Sequence, residues 1–232
     1  MKQPILLLIE TAIEQCSVAV SSGVEIIAKA AAIKVFDHSA RLTLLIEQCL
    51  QTAGLQINEI DAIAISEGPG SYTGLRVGMA TAKGICFGTG IPLILVPTLE
   101  AMSNAAIRTA DKRDALYLPM LDARRMEVYA ALYDLDLRQI EAPSAVVLDA
   151  DSFRHWKHEQ KEILYFGNGS EKWRNICNSE GFHHINVSMN AVDMAYSAHV
   201  RYEAGDFSSI ISAVPLYLKN PNITTPKPRL TH

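Results

Sequence analysis

Hydrophobic residues occur along the chain in short continuous runs and in helix-periodic stripes, and their order predicts alternating strands and helices. In the first half, three apolar runs come first, and helical and strand-like patterns then alternate. The run 61–66 has the length and residue types of a buried strand, whereas 38–53 carries an apolar stripe at helical spacing. The elements predicted for this half are strands over 5–9, 16–22, 24–33, 61–66 and 93–96 and helices over 38–53, 73–87 and 97–108.

The second half repeats this order after the charged stretch 111–114, which is a candidate domain boundary. The elements predicted there are strands over 115–121, 126–133, 137–148, 162–167 and 183–187 and helices over 151–159, 169–178 and 190–205. Hairpins followed by β-α-β crossovers form mixed sheets covered by helices. The predicted fold class is therefore α/β: a duplicated ribonuclease-H-like (actin-like ATPase) fold with two mixed-sheet domains and flanking helices. We place the domains at 1–108 and 109–189, with 190–232 packing back on the first.

The composition is that of an ordinary globular chain, since 49% of the 232 residues are hydrophobic, 20% are charged and the net charge is −4. This acidic balance lacks the basic face of proteins that bind nucleic acid by themselves. Only the apolar run 5–9 precedes Glu10, which is too short for a signal-peptide core or a membrane span. The four cysteines form no C-x-x-C pair. We therefore expect a reduced, cytoplasmic protein without a membrane segment.

A glycine-rich segment, 66–78, joins a predicted strand to a predicted helix. A strand, a glycine loop and a helix N-terminus together form the geometry that binds phosphate. The glycine spacing nevertheless fits neither the dinucleotide fingerprint G-x-G-x-x-G nor the P-loop. We predict that Gly68 and Gly70 shape the loop and that Ser71 or Thr73 caps the helix.

Several other groups could carry chemistry, and each has a structural alternative. Glu10 ends the first strand, where actin-like ATPases carry an aspartate for the Mg²⁺–phosphate shell, and it could equally cap a turn. Ser71 lies on a strand-to-helix turn but outside a G-x-S-x-G motif, so capping is the alternative to nucleophilic attack. His155 and His158 could share a metal or lie on a solvated helix face. A last group could line a cleft or form a surface ion-pair cluster: Asp122, Arg124, Arg125 and Glu127.

Small residues spaced by four occur in the helix over 73–87, at Gly74, Gly78 and Ala82. Each interior glycine lowers helix stability by roughly 1 kcal/mol relative to alanine, so the series indicates a close contact with another backbone. That backbone belongs either to the chain's own sheet or to a helix of another protein. The second alternative is favoured by Leu44, which lies off the core stripe of its helix and leaves an apolar side chain facing outward.

The motifs together resemble the signature of the TsaB family, also called YeaZ. The segment 68–78, Gly-Pro-Gly-Ser-Tyr-Thr-Gly-Leu-Arg-Val-Gly, carries the strongest resemblance. Further segments match in the family's order: 9–11 with 16–20, 38–42, 97–102, 121–129 and 215–218. Agreement of several segments in one order makes the resemblance specific.

The resemblance implies a scaffold subunit that supports threonylcarbamoyl transfer to the adenosine beside the anticodon of certain tRNAs. It implies pairing with the paralogue TsaD, a homodimer when the chain is alone, and association with the ATPase TsaE. Contact with tRNA would occur only through the complex, and ATP and a metal would be bound by the partner subunits, with no cofactor on this chain alone. TsaD-like proteins carry H-x-x-x-H on the first helix, whereas His38 is followed here by Leu42. We therefore expect no catalytic residue and no metal site.

Partner binding is predicted for a flat helical face and for the helix opposite it. The residues are Tyr72, Gly74, Leu75, Gly78, Met79 and Ala82, with Arg41, Leu44 and Gln48 opposite. Two enzyme alternatives remain open. One is an actin-like ATPase or small-molecule kinase that holds phosphate with Glu10 and the loop 68–74. The other is a metallohydrolase of the glycoprotease type, which would bind zinc stoichiometrically.

Overall fold

The computed structural model describes residues 2–32, 38–110, 112–157, 161–177 and 180–219, and of residues 38–40 the backbone alone. The strands are β1 (Ile5–Glu10), β2 (Ser17–Ser22), β3 (Glu25–Ala31), β4 (Ala62–Gly68), β5 (Leu93–Pro97), β6 (Ala115–Asp122), β7 (Glu127–Tyr133), β8 (Gln139–Val147), β9 (Glu162–Phe166) and β10 (Phe182–His184). The α-helices are α1 (His38–Ala53), α2 (Tyr72–Thr89), α3 (Thr98–Thr109), α4 (Ser170–Arg174) and α5 (Ala195–Glu203). Short 3-10 helices occupy Ile57–Glu59, Arg154–Trp156 and Ala191–Met194.

The strands form two five-stranded sheets that share one topology. The first has the order β3-β2-β1-β4-β5 and the second the order β10-β9-β6-β7-β8. In each sheet three strands pair antiparallel as a meander, and the remaining pairs are parallel. Parallel neighbours need a crossover, and helices or longer segments supply it here. The two halves are therefore structural repeats, as the order of patterns predicts.

Both faces of the first sheet are buried, and the two-residue period of the strands assigns side chains to each face. Leu7 and Ile9 of β1 and Ile65 of β4 pack beneath α1 and α2. Leu6 and Leu8 point to the other face, where α3 and α5 lie. This burial on both faces explains why the strand sequences are continuous apolar runs rather than alternating ones.

The core under α3 continues from the first sheet into the second. Leu99 and Met102 of α3 belong to one hydrophobic cluster with Leu8 of β1, Tyr117 of β6 and Phe166 of β9. A separate cluster covers the opposite face of the second sheet, around the fully buried rings of Phe153 and Trp173. Because the core is continuous between the halves, the division at residue 108 stays a prediction.

The chain returns to the first sheet after β10. The amide of Ala191 donates to Ser17 Oγ at 2.9 Å, and the amide of Ser208 donates to the carbonyl of Leu93 at 2.8 Å. Further along, the amide of Leu216 donates to the carbonyl of Glu67 at 2.8 Å. The segment from Ala191 to Leu216 therefore contacts the first half, whereas 220–232 lie outside the described residues.

The predicted strands and the long helices occur in the structure with bounds shifted by a few residues, but the second half contains less helix than predicted. In the predicted helix over 151–159, the described residues 151–157 contain only the 3-10 turn Arg154–Trp156, and residues 158 and 159 lie outside the described part. Phe153, just before this turn, has a positive φ of 64° and turns its ring into the core, so a helix does not run through it. The helix predicted over 169–178 stops at Arg174. In the part of the chain that the structure describes, no helix is both long and apolar enough to span a membrane.

Candidate functional site

The glycine loop is fastened to the chain itself. Ser71 is the N-cap of α2, because its Oγ accepts a hydrogen bond from the amide of Gly74 at 3.2 Å. Of the two predicted capping residues the structure therefore selects Ser71, and Thr73 lies exposed in the first turn. The amide of Ser71 donates to the carbonyl of Ala12 at 2.6 Å, and the amide of Leu75 donates to the carbonyl of Ser71 at 2.8 Å. Two of the amides that could bind a phosphate here, those of Ser71 and Gly74, are thus already bonded within the chain.

Gly68 and Gly70 allow this loop to approach neighbouring backbone closely. A Cβ on Gly70 would lie 2.4 Å from the carbonyl oxygen of Ala12, and a Cβ on Gly68 would lie 2.6 Å from that of Leu216. Gly68 also has a φ of 120°, which side chains disfavour. Both positions require glycine for packing inside the chain.

Glu10 has a structural role at the end of β1. It is fully buried, and its Oε1 accepts hydrogen bonds from the amides of Ala12 and Ile13, at 2.5 and 3.1 Å. Burial raises the pKa of the Glu10 carboxyl to about 7, although the two amide bonds act in the opposite direction. Its Oε2 has no hydrogen-bond partner among the described residues. An enclosed carboxyl that holds the turn after β1 fits the capping alternative.

The small-residue series of α2 faces inward, which corrects the predicted partner-binding face. Five of its predicted residues are buried in the chain's own first half: Gly74, Leu75, Gly78, Met79 and Ala82. A Cβ on Gly74 would lie 2.1 Å from the carbonyl oxygen of Thr11, and a Cβ on Gly78 would lie 2.2 Å from Thr11 Oγ1. The series serves close packing of α2 on β1 and β4, so these five residues are not available to another protein.

The exposed side of α2 carries a second series of small residues. Ala80, Gly84 and Gly88 are spaced by four and are exposed, and a Cβ on either glycine would meet nothing within 4 Å. Phe87, 82% exposed, lies on the same side of the helix. On the adjacent α1, Leu44 is 60% exposed. We define the exposed α1–α2 face by the following residues: Arg41, Leu44 and Gln48 of α1, and Tyr72, Arg76, Ala80, Gly84, Phe87 and Gly88 of α2.

One end of this face is held by the C-terminal segment. The guanidinium carbon of Arg76 lies 4.0 Å from the ring centroid of Tyr72. Its Nε donates to the hydroxyl of Tyr217 at 3.0 Å, and the two tyrosine rings lie 5.3 Å apart. Lys83 donates to the carbonyl of Ala213 at 2.9 Å. The contacts with Tyr217 and Ala213 could not be predicted from the sequence, because they join residues more than a hundred positions apart.

A cleft of about 460 Å³ lies between the two halves. It contains a contact that sequence reasoning missed, between Ser170 Oγ and His184 Nε2 at 3.0 Å. Glu171 Oε1 lies 3.4 Å from the same Nε2, whereas a catalytic triad places its acid on the opposite ring nitrogen. The Ser170 hydroxyl also donates to the carbonyl of Gly167 at 2.6 Å. The side chains of Ser170, Glu171 and His184 therefore make polar contacts with one another, but they lack the geometry that activates a serine nucleophile.

The remaining candidates give no metal site among the described residues. Leu42 is buried, and the side chain of His38 lies outside the described residues, as does His158. In the acidic and basic group of the second half, Asp122 pairs with Lys172 at 2.6 Å and Glu127 with Lys219 at 2.7 Å. Asp122 and Glu127 therefore form ion pairs at the surface.

Comparison with known proteins gives consistent matches. Residues 32–197 match the family model described as TsaD: tRNA N6-adenosine threonylcarbamoyltransferase. The tRNA threonylcarbamoyladenosine biosynthesis protein TsaB of Escherichia coli is 31% identical over 228 residues, covering 93% of this chain and 94% of that one. The protein of the same name from Haemophilus influenzae is 36% identical over 129 residues, or 53% of this chain and 51% of that one.

Solved structures agree with these matches. YeaZ from Pseudomonas aeruginosa superposes with a TM-score of 0.78 at 25% identity and covers 93% of this chain and 100% of that one. The activator of the 2-hydroxyisocaproyl-CoA dehydratase from Clostridium difficile has a TM-score of 0.54 at 7% identity, covering 87% of this chain and 97% of that one. At that identity the second match shows a shared fold alone.

Proposed function

The chain belongs to the TsaB, or YeaZ, family of tRNA threonylcarbamoyladenosine biosynthesis proteins, and we propose that it acts there as a non-catalytic scaffold subunit. The membership and the duplicated actin-like ATPase fold predicted from the sequence are confirmed. The scaffold role, by contrast, is our proposal. In it, the chain pairs with a TsaD-like protein through the exposed α1–α2 face.

The exposed glycines of α2 are the observation that carries the proposal. Gly84 and Gly88 contact no residue that a side chain would displace, so packing inside the chain does not explain them. A glycine inside an exposed helix lowers stability by roughly 1 kcal/mol relative to alanine. Such residues let another backbone approach closely, and exposed Leu44 and Phe87 supply apolar area around them. Together they form a surface that fits a partner helix.

The proposal that this chain is not catalytic is supported by the contacts of the residues that would bind nucleotide in an actin-like ATPase. In an actin-like ATPase the carboxylate at the end of β1 belongs to the Mg²⁺–phosphate shell, and the glycine loop is the other candidate phosphate ligand. Here Glu10 is enclosed and binds two backbone amides, and the amides of Ser71 and Gly74 are bonded within the chain. Phosphoryl transfer depends mainly on the positions of the groups around the phosphate, and here those groups bind other parts of the same chain.

The rest of the proposed assembly follows from this role. A TsaE-like ATPase joins the pair, tRNA is contacted through the complex, and ATP and a metal reside on the partner subunits. When its partner is absent, the chain forms a homodimer through the same face. The complex works in the cytoplasm, where its tRNA substrate is found.

The experiment is a light-scattering mass of the purified chain, alone and mixed with the TsaD-like protein of the same source. We expect a dimer alone and a mixed complex with the partner. Gly84→Arg places a long cation in open space on the exposed α1–α2 face and should abolish both assemblies while the circular dichroism spectrum stays unchanged. Asn175→Arg, an exposed position of the second half, is the matched control and should assemble normally. A monomer that ignores the partner, or normal assembly of Gly84→Arg, would contradict the proposal.

A further inference from the structure

The turn between β6 and β7 holds two arginines in a backbone conformation that favours glycine. Arg124 has a φ of 70° and Arg125 a φ of 50°. Left-handed backbone is unfavourable for residues with a Cβ, and glycine and asparagine adopt it most readily. Two consecutive arginines at such positions need a reason.

Packing does not supply that reason. Phe153 also has a positive φ, of 64°, but its ring is buried between Trp156 and Trp173, at centroid distances of 4.9 and 5.2 Å. Arg124 and Arg125 are exposed instead, and within the described residues neither guanidinium makes a hydrogen bond or an ion pair. The amide of Arg124 donates to Asp122 Oδ1 at 2.5 Å, so the turn is stabilised through its backbone and the two arginine side chains take no part in that contact. Unusual backbone is found preferentially at functional positions.

The charge around the turn is positive although the chain is acidic. The two neighbouring carboxylates are already neutralised, Asp122 by Lys172 and Glu127 by Lys219. Four cations and two acids therefore leave a local charge of +2 on a chain whose net charge is −4. Among the described residues, this is the one pair of adjacent cations in which neither member has an acidic partner.

We propose that the Arg124–Arg125 turn contacts the phosphodiester backbone of tRNA in the assembled complex. This inference rests on the proposed function, because the tRNA reaches this chain only within that complex. Guanidinium groups match phosphate geometry, and two from successive residues can contact phosphates of one strand. An acidic protein is the weaker candidate, because the exposed α1–α2 face is on the other half of the chain and exposed ion pairs add little affinity.

The test is a salt titration of tRNA binding by the complex of this chain with its TsaD-like partner, using an unmodified transcript of a tRNA that the complex modifies. Loss of two phosphate contacts reduces the slope of log affinity against log salt by about 1.4 to 1.8. Near 0.15 M salt that change corresponds to a loss of affinity of about 15- to 30-fold. We expect this result for the double variant R124A/R125A and most of the wild-type slope for R124K/R125K.

The matched control is R113A/R138A. It also removes two exposed positive charges from the second half, but at the opposite end of the second sheet, before β6 and after β7. Affinity and slope should stay at the wild-type values in this variant.

A second variant, R124N/R125G, separates the effect on tRNA binding from any effect on folding. It supplies the residues that left-handed backbone prefers, so it should unfold at a higher temperature than wild type. Its loss of tRNA affinity should nevertheless equal that of R124A/R125A.

Two outcomes would overturn the inference: an unchanged salt slope in R124A/R125A, or loss of pairing by mass in that variant. Failure of the proposed function is seen separately, as a wild-type chain that does not pair before any RNA is added. That result would also reject the inference, because the contact is proposed for the assembled complex alone.

Discussion

Two glycines six residues apart on α2 should respond to the same substitution in opposite directions. Gly84→Ala adds a methyl group in open space and should stabilise the fold by about 1 kcal/mol through helix propensity alone. Gly78→Ala adds the same methyl group 2.2 Å from Thr11 Oγ1 and 2.9 Å from Ile65 Cδ1. Overpacking of this severity costs about 3 kcal/mol, which outweighs the gain in propensity and leaves a net loss of about 2 kcal/mol.

The assay is thermal unfolding followed by circular dichroism, with urea unfolding as a second measure. For a chain of this size, 1 kcal/mol shifts Tm by about 2–4 °C. We therefore expect Gly84→Ala to raise Tm by about 2–4 °C and Gly78→Ala to lower it by about 4–8 °C. The protein must be dilute enough to be monomeric by mass, because self-association would add its own stabilisation. Stability changes of the same sign in both variants would refute the assignment of the two helix faces.

Further predictions concern single contacts of the fold. Ser71→Ala removes the cap of α2 and should lower the free energy of unfolding by about 1 kcal/mol in urea titrations, and Ser71→Asp should restore most of it. The pKa of Glu10 is raised from 4.5 to about 7, so the folded state keeps a proton that the unfolded state has lost. Stability should therefore fall by up to about 3 kcal/mol as pH rises from 4.5 to 7, and Glu10→Gln should flatten this limb of the pH profile. Arg201→Met leaves Glu100, now bonded by both terminal guanidinium nitrogens at 2.8 Å, partly buried without its partner, and should cost about 2 kcal/mol. Unfolding of Arg201→Met at the wild-type urea midpoint would show that this ion pair contributes nothing.

Much of the fold was predictable because the spacing of hydrophobic residues determines where most of its strands and helices lie. Strands buried on both faces appear as continuous apolar runs, and the stripe of α1 predicted its bounds, His38–Ala53, without error. Periodicity failed where a single residue overrides it. The pattern over 151–159 is typical of a helix, but Phe153 has left-handed backbone and a buried ring, and a helix cannot run through it; among residues 151–157 only the turn Arg154–Trp156 is helical.

The partner-binding face was less predictable, for a reason that lies in helix geometry. Small residues on α2 form two series spaced by four, one with Gly74 and Gly78 and the other with Gly84 and Gly88. Spacing alone does not show which series faces the sheet, since that depends on the backbone of Thr11. The contact of Ser170 with His184 was beyond sequence reasoning too, because separate elements bring the two residues together.

The central claim, that the chain is a scaffold rather than a catalyst, is tested most directly by the yield of threonylcarbamoylated tRNA in a reconstituted system. Two variants are compared with wild type, each checked for folding by circular dichroism: Glu10→Gln, which alters the one enclosed carboxyl at the position of an ATPase aspartate, and Gly84→Arg, which blocks the exposed α1–α2 face. The account predicts a wild-type yield for Glu10→Gln and almost none for Gly84→Arg. Loss of yield in a folded, normally paired Glu10→Gln protein, or a wild-type yield with Gly84→Arg, would contradict it.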